Sequence, residues 1–225
     1  MYLTWYGQSC FKIQTKEKNI LINPFGPKEA GLKGPNLRAE IVILSNSADY
    51  ERAIRAFPPE TFLIYGPGEY EISDMVIDGI GCVDKNKINT VFRFEIEKVK
   101  IGFLAELGRL LKEEEIEKFN GIDLLLIPVG GPIDPKSRTF KGQTLLKAEE
   151  AVKLIGHLEP KVVIPYYYQI SGLKPGHDKK LGSLDKFLHL LGLKPSQAAE
   201  KLKISARDLA GNKKLELIIL TPKTF

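Results

Sequence analysis

Apolar residues in the first half of the chain occur in short runs and in alternation with polar residues, which is the pattern of β-strands. Phe11 and Ile13 are separated by the polar Lys12, so this segment is predicted to bury one face. Ile41–Leu44 is apolar throughout, as expected of a strand covered on both faces. The strands predicted in this half are Tyr2–Tyr6, Cys10–Gln14, Asn19–Ile22, Ile41–Leu44, Thr61–Tyr65, Met75–Ile77, Thr90–Ile96 and Val99–Leu104.

The second half alternates between helical and strand patterns. The clearest helix is Thr144–Leu158, where apolar residues recur at helical spacing. Pro132–Gln143 is rich in Pro, Gly, Lys and Arg and is predicted to be a surface loop. Because no break in composition marks a linker, residues 1–225 are predicted to form a single layered α/β domain. The helices predicted are Lys112–Phe119, Thr144–Leu158, Leu181–Leu190 and Ser196–Leu202, and the strands are Asp123–Val129, Lys161–Tyr168 and Leu215–Leu220.

The composition is that of an ordinary globular protein. The 225 residues include 33 Lys+Arg and 28 Asp+Glu, a formal net charge of +5, and 43% are hydrophobic. No apolar run approaches the ~20 residues that span a bilayer, so no association with a membrane is predicted. Cys10 and Cys82 cannot form a disulfide scaffold, which favours a cytoplasmic location and predicts two buried thiols.

The net positive charge is informative only about possible binding partners. It leaves a weak anionic ligand or nucleic acid open, but lysines are interspersed with glutamates, as in Lys112–Glu115, so solubility is the simpler explanation. A homo-oligomer stays open as well, and the sequence identifies no specific partner. The three histidines, His157, His177 and His189, share no motif, which nearly excludes a zinc site built mainly from imidazole.

Four turns that each follow an apolar strand carry small, polar or acidic residues. Strand ends are where open α/β sheets place their ligand sites, so these turns are the first place to look for chemistry. They are Ile22–Phe25, Leu44–Tyr50, Leu104–Arg109 and Ile164–Tyr168.

Around these turns the chain resembles the small metallo-β-lactamase-fold hydrolases of the ascorbate-6-phosphate lactonase type. Trp5–Phe11 reads W-Y-G-Q-S-C-F against the family's W-Y-G-H-S-C-F, and Ile20–Phe25 reads I-L-I-N-P-F against I-L-I-D-P-F. Pro67–Ile72 and Leu126–Gly131 match the family's P-G-E-Y-E-I and L-I-P-V-G-G. The resemblance covers nearly the whole chain. It implies a four-layer αββα sandwich of two mixed β-sheets flanked by helices, with metal-dependent hydrolysis as the family's activity.

The departures from the family fall on its metal ligands. Where the family has H-x-H-x-D-H, this chain has Ser45–Tyr50, in which only Asp49 is retained. The family's bridging aspartate corresponds to Glu106 and its late histidine to Tyr167, while Pro132–Gln143 stands as an insertion. The degenerate cleft positions are Gln8, Asn23, Ser45, Ser47, Asp49, Tyr50, Glu106, Arg109 and Tyr167.

This set of side chains disfavours zinc, which prefers neutral imidazole or thiolate ligands. Neutral hydroxyls are weak ligands, and Arg109 brings a positive charge to the motif. No cofactor is therefore predicted, and no catalytic residue is assigned. A single Mg²⁺ or Ca²⁺ ion on Asp49 and Glu106 stays open as an alternative, because hard cations accept oxygen ligands.

The favoured hypothesis is a metallo-β-lactamase-fold protein with a dismantled metal site and a non-catalytic role in ligand binding or interaction. In it, Asp49 and Glu106 are expected to pair with Arg109 or to accept hydrogen bonds from Ser45, Ser47 and Tyr167. One alternative is a residual hydrolase that uses a single non-zinc cation, or no metal and a serine nucleophile. Another is a nucleic-acid-binding protein without nuclease activity.

Two further features have structural interpretations. Gly130 and Gly131 are predicted to form a tight strand exit, with anion binding by their N–H groups as the alternative. Tyr167 is expected to fill the core, with stacking on a base or sugar as the alternative.

Overall fold

A computed structural model of the chain describes residues 1–25, 31–32, 34–35, 38–84, 87–131, 145–173, 181–211 and 214–223. The predicted loop Pro132–Gln143 and His177 lie outside the described residues. No described helix is long and apolar enough to cross a membrane. The strands are β1 (Tyr2–Gly7), β2 (Cys10–Gln14), β3 (Asn19–Ile22), β4 (Ile41–Leu44), β5 (Phe62–Tyr65), β6 (Gly68–Ile72), β7 (Met75–Asp84), β8 (Lys87–Ile96), β9 (Val99–Phe103), β10 (Leu124–Pro128), β11 (Val162–Tyr166), β12 (Gln197–Ala199), β13 (Lys201–Lys203) and β14 (Glu216–Leu220). The helices are α1 (Tyr50–Ala56), α2 (Glu113–Glu117), α3 (Ala148–Leu158), α4 (Leu184–Leu191) and α5 (Ala206–Ala210).

The first sheet has six strands in the order β13-β1-β2-β3-β4-β5. Strands β13, β1, β2 and β3 are antiparallel neighbours, whereas β3, β4 and β5 run parallel. Ile22 at the end of β3 lies opposite Ile43 of β4. The turns that follow β3 and β4 therefore leave the sheet side by side.

The second sheet has eight strands in the order β12-β14-β11-β10-β9-β8-β7-β6. It is antiparallel from β6 to β9 and parallel from β9 through β10, β11 and β14 to β12. Phe103, Leu126 and Ile164 lie level with one another near the carboxyl ends of β9, β10 and β11. The chain leaves these strands at one end of the sheet.

Buried aromatic side chains pack the two sheets face to face. Phe11 of the first sheet lies 6.1 Å from Phe103 and 5.2 Å from Tyr166 of the second, measured between ring centroids. The ring of Trp5 lies 5.4 Å from that of Tyr168. Two mixed sheets packed in this way and flanked by helices make the αββα sandwich, so the predicted fold class is confirmed.

The best predicted helix is present because its apolar residues share one face. In α3 the buried residues recur every three or four positions, with the neighbours Leu154 and Ile155 both on the buried face. Helix α4 begins after Ser183, whose Oγ accepts a hydrogen bond from the N–H of Lys186, and ends at Gly192 in the left-handed conformation. The buried residues of α3 are Ala148, Ala151, Leu154, Ile155 and Leu158.

The predicted helix Ser196–Leu202 was wrong. Gln197–Ala199 pairs with β14 and Lys201–Lys203 pairs with β1, so this segment contributes one edge strand to each sheet. Strand pairing at the two sheet edges stabilises this segment more than its helical propensity, which comes from Gln, Ala, Glu and Lys, would stabilise a helix. The sequence patterns also missed α1, β6 and α5.

Candidate functional site

Residues from both sheets meet at the strand-end turns. Asn23 follows β3 and Ser45 follows β4, and these two residues are hydrogen-bonded to each other. Ser9, in the turn between β1 and β2, donates from Oγ to Oε1 of Glu106 at 3.4 Å, and Glu106 follows β9. The N–H of Thr90 on β8 donates to the carbonyl of Ser45 at 3.0 Å. These contacts connect the two sheets at the predicted cleft.

Asn23 and Ser45 form a closed pair. Oδ1 of Asn23 accepts from the backbone N–H of Ser45 at 2.8 Å, and its Nδ2 donates to Oγ of Ser45 at 2.8 Å. Ser45 is only 3% exposed. Two positions at which the family resemblance implied metal ligands therefore bind one another in this chain.

The backbone is left-handed at four non-glycine positions in these turns. The φ angles are 50° at Gln8, 44° at Asn23, 50° at Ala105 and 56° at Tyr167. Outside glycine, this conformation costs about 1–2 kcal/mol and persists only where the surrounding structure imposes it. Three of the four are positions where the family motif carries a metal ligand, so the strained main-chain path is present without the ligand side chains.

Gln8 occupies the position of the family's first motif histidine. Its side chain is buried, and neither atom of its amide has a hydrogen-bond partner among the described residues. Its backbone carbonyl accepts from Nε1 of Trp5 at 2.9 Å, which fixes the turn. A buried amide without partners costs free energy, so Gln8 does not stabilise the position that it fills.

Two tyrosines at the end of β11 are buried and neutral. The hydroxyl of Tyr166 donates to the carbonyl of Ala105 at 2.6 Å. Burial raises the pKa of Tyr166 and of Tyr167 well above the usual range, and the charge of Glu106 raises both further. A phenolate is the form in which tyrosine binds a metal, so Tyr167 is a poor replacement for histidine. Tyr167 is 3% exposed and fills the core as predicted.

Arg109 pairs with Glu115, a partner that the sequence analysis did not predict. Its Nη1 and Nη2 both donate to the carboxylate of Glu115 at 2.7 Å, and its Nε donates to the carbonyl of Val83 at 2.9 Å. The bidentate geometry directs the guanidinium to the start of α2. Arg109 is therefore a structural residue in this fold.

The thiol of Cys82 lies against this ion pair. Cys82 is 1% exposed, and burial, with a smaller contribution from Glu115, raises its pKa to about 12. Cys10 is also fully buried, and burial raises the pKa of its thiol. Both cysteines are buried, unreactive thiols, as predicted.

Asp49 pairs with a cation on its own helical segment. Its Oδ1 lies 3.3 Å from Nη2 of Arg52, the residue three positions later. Arg52 also donates to the carbonyl of Pro24 at 3.4 Å. Ser47 is exposed, and the ring of Tyr50 lies 3.9 Å from that of Tyr65. The Asp49 carboxylate is thus held beside a guanidinium.

The residues present do not fit the family's zinc ions. Within the described part of the chain, no group of three or more His, Cys, Asp or Glu side chains is placed to hold a metal. His157 and His189 are exposed on α3 and α4. The Asn23–Ser45 pair offers an amide and a neutral hydroxyl, neither of which is a preferred zinc ligand.

Sequence reasoning missed three residues that fix this region, namely Ser9, Arg52 and Glu115. The spacing of Arg52 from Asp49 is a helical ion-pair signal and could have been used. Ser9 lies inside a recognised motif but pairs across the two sheets. No sequence signal connects Arg109 to Glu115, since that contact depends on the turn between β9 and α2.

Replacing Arg109 by methionine should lower the free energy of unfolding by about 2 kcal/mol at pH 7, because Glu115 would keep its buried charge without its partner. Burial opposes ionisation of Glu115, but hydrogen bonds from Arg109 and from the N–H of Lys112 together hold its pKa below the usual value. The stabilisation by the Arg109–Glu115 ion pair is fully present above ~4.3, the pKa of a glutamate in the unfolded chain. It is lost as the pH falls through the lower pKa of Glu115 in the folded protein. Urea unfolding of both proteins between pH 7 and pH 3 measures the difference, which should shrink on acidification. In a Glu115→Gln background, Arg109→Met should lower the free energy of unfolding by less than in the native chain. A loss of stability on Arg109→Met that does not change with pH would contradict the role given to the Arg109–Glu115 pair.

The comparisons with known proteins agree with this architecture. A family model described as the beta-lactamase superfamily domain matches residues 2–167. A UPF0173 protein of Pyrococcus abyssi is 22% identical over 222 residues, covering 89% of this chain and all of that protein.

Solved structures show the same fold. A proposed zinc-dependent hydrolase of the metallo-β-lactamase superfamily from Thermotoga maritima superposes with a TM-score of 0.75 at 27% identity, over 98% of each chain. A metallo hydrolase from Ignicoccus hospitalis gives a TM-score of 0.62 at 13% identity, over 100% of this chain and 97% of the other. The family match spans most of the chain, and the two packed sheets have the architecture of these structures. The chain therefore belongs to the metallo-β-lactamase-fold family within the beta-lactamase superfamily.

Proposed function

We propose that this protein is a non-catalytic member of its family, in which the strand-end cleft has exchanged metal ligation for internal hydrogen bonding. The observation that supports this most strongly is the Asn23–Ser45 pair. Nδ2 of Asn23 donates to Oγ of Ser45, and the backbone N–H of Ser45 donates to Oδ1 of Asn23, both at 2.8 Å. The family motif carries metal ligands at these two positions. A buried pair of this kind stabilises the turn directly.

The charges around the cleft support the same proposal. Asp49, the retained acidic residue, has Arg52 3.3 Å away, so a cation there would be repelled by the guanidinium. This argues against the alternative of a single Mg²⁺ or Ca²⁺ on Asp49 and Glu106. We therefore propose that this protein binds no metal cofactor.

The hydrogen bonding of Ser45 argues against a metal-free serine hydrolase. A nucleophilic serine needs a neighbouring base that removes its proton, and histidine normally serves. Ser45 Oγ instead receives a hydrogen bond from the Asn23 amide, which cannot act as a base. Its burial at 3% exposure also keeps substrate away. We therefore propose a role in binding or interaction within the cytoplasm, consistent with the two free cysteines.

The proposal is tested with tag-free protein assayed against lactone and phosphodiester substrates, with and without added Mn²⁺ or Zn²⁺. We expect no turnover above that of an Asp49→Ala/Glu106→Gln variant prepared in parallel. Turnover that disappears in this double variant, while its thermal unfolding is unchanged, would refute the non-catalytic role. An active metal-dependent relative of the same fold serves as the positive control for the assay.

A further inference from the structure

We propose that the outer face of the first sheet binds single-stranded nucleic acid through lysines on and beside strands β13, β1 and β2. This surface is separate from the strand-end cleft, so the inference does not depend on the proposed function. It follows from strand pairing, which brings together basic side chains that lie far apart in the sequence.

The register of β13, β1 and β2 places one group of side chains on the outer face of the sheet. Phe11 packs against the second sheet, so Lys12, the next residue on β2, faces away from it. Residues opposite one another in neighbouring strands share a face, and two such rows cross the three strands. The rows are Lys12, Thr4 and Lys201, and Gln14, Tyr2 and Lys203. Three of these six residues are lysines and none is acidic.

A fourth lysine lies beside these rows. The N–H of Lys223 donates to the carbonyl of Trp5 at 2.8 Å, which places Lys223 alongside β1. Burial lowers the pKa of Lys12, and the charges of Lys223 and Lys201 lower it further, against the opposing charge of Glu40. The lysines are therefore close enough to repel one another, and a bound anion would relieve this repulsion. The basic face is defined as Lys12, Lys201, Lys203 and Lys223.

Protection of a sheet edge explains only part of this charge. Strand β13 is the last strand of the first sheet, and lysines such as Lys201 and Lys203 are a usual protection of an exposed edge. Lys12 lies on β2, which is paired with a strand on both sides, so a lysine there protects no edge. Glu40, the acidic residue that acts on Lys12, has its carboxylate hydrogen-bonded to the N–H and Nδ2 of Asn19. The position of Lys12 therefore indicates that the charge itself has a role.

An exposed aromatic ring within the basic face favours nucleic acid over other polyanions. Tyr2 is 41% exposed, and Nζ of Lys201 lies 4.3 Å from the centroid of its ring. The same Nζ donates to Oε1 of Gln14 at 3.1 Å, so the ring and the ammonium group are held together. Proteins that bind single strands combine basic side chains for the phosphates with aromatic rings on which bases stack. Bases stack on a protein in this way only when they are unpaired, which selects a single strand.

The test is fluorescence anisotropy of a labelled oligothymidylate titrated with the full, tag-free chain at several salt concentrations. We expect a Kd of roughly 1–100 μM at physiological salt. The logarithm of the binding constant should fall with the logarithm of salt concentration with a slope of about −2 to −3, because each phosphate contact on a single strand contributes about −0.7. An absence of binding at low salt would overturn the inference.

Paired variants test whether the basic face is the binding surface. Lys201→Gln/Lys203→Gln should weaken binding and make the slope shallower by about 1.4, since two phosphate contacts are lost. The control is Lys118→Gln/Lys153→Gln, which removes the same charge from exposed positions at the end of α2 and on α3, beside the second sheet. The control should bind as the native chain does. An equal loss of affinity in both double variants, each with native thermal unfolding, would contradict the inference.

Tyr2→Leu tests the choice of nucleic acid as the ligand. This substitution removes the stacking surface but no charge, so it should weaken oligothymidylate binding about fivefold or more and leave the salt slope unchanged. Binding of inorganic polyphosphate, which has no bases, should be the same in Tyr2→Leu and in the native chain. If Tyr2→Leu binds oligothymidylate as tightly as the native chain does, the face recognises charge alone and the assignment to nucleic acid is wrong.

Discussion

Replacing Gly131 by alanine should lower the free energy of unfolding by more than about 4 kcal/mol, one of the largest single-residue effects expected in this protein. A Cβ atom at Gly131 would lie 2.6 Å from the carbonyl oxygens of both Leu145 and Leu146. These are main-chain atoms, so a side-chain rotation cannot relieve the overlap. The N–H of Gly131 donates to the carbonyl of Leu146 at 2.8 Å, as expected of the tight strand exit predicted for this pair of glycines.

Gly130→Ala should be destabilising for the same reason and would also disturb the cleft, because its Cβ would overlap the carbonyl oxygen of Tyr167. The matched control is Gly156→Ala. Gly156 lies inside α3 with open space around the added methyl group, so alanine should stabilise the protein by up to ~1 kcal/mol. Chemical denaturation measures the free energy of unfolding of the three variants. A decrease of less than about 1 kcal/mol in Gly131→Ala would mean that the main chain shifts to accommodate the methyl group, contrary to the prediction.

Replacing Asn23 by alanine should cost about 3 kcal/mol, since several effects act together. The buried N–H of Ser45 loses its acceptor, Oγ of Ser45 loses its donor, and alanine must adopt the left-handed φ of 44° that asparagine tolerates better. Urea denaturation of the tag-free chain measures the change.

Asn23→Asp is the control for this prediction. Aspartate can accept from both the N–H and the hydroxyl of Ser45 and also tolerates the left-handed conformation, so it should cost less than about 1 kcal/mol. Equal stability of the alanine and aspartate variants would show that the pair does not hold the turn. The double-mutant cycle with Ser45→Ala isolates the energy of the side-chain contact.

Much of the fold was predictable because the sequences of the buried strands are apolar or alternate between apolar and polar residues. The apolar run Ile41–Leu44 is a buried inner strand, and the helical spacing within Thr144–Leu158 predicted most of α3, which begins at Ala148. The secondary-structure predictions failed where pairing with neighbouring strands determines the local conformation. Ser196–Leu202 has helical propensity but completes a sheet edge on each side of the sandwich. Helix α1 was missed because it is only seven residues long and buries only Ala53, so its sequence shows no apolar face at helical spacing.

The sequence predicted which strand-end turns lie side by side, but it did not predict the contacts between their side chains. Strand-end turns indicated the cleft, and the side chains of Asn23 and Ser45 meet because β3 and β4 are parallel neighbours. Arg109 shows the limit of sequence reasoning. Its motif position suggested the cleft carboxylates as partners, whereas the path of the turn directs it to Glu115. Side-chain direction after a left-handed residue such as Ala105 cannot be inferred from strand alternation.

The metal content of the purified chain tests the central claim most directly. The protein is prepared without a histidine tag, incubated with excess zinc, desalted and analysed by inductively coupled plasma mass spectrometry, alongside the Asp49→Ala/Glu106→Gln variant. The Asn23–Ser45 pair and the Asp49–Arg52 ion pair predict far less than one zinc per chain, with the same trace in both proteins. One or two zinc ions per native chain, lost in the double variant, would contradict the account.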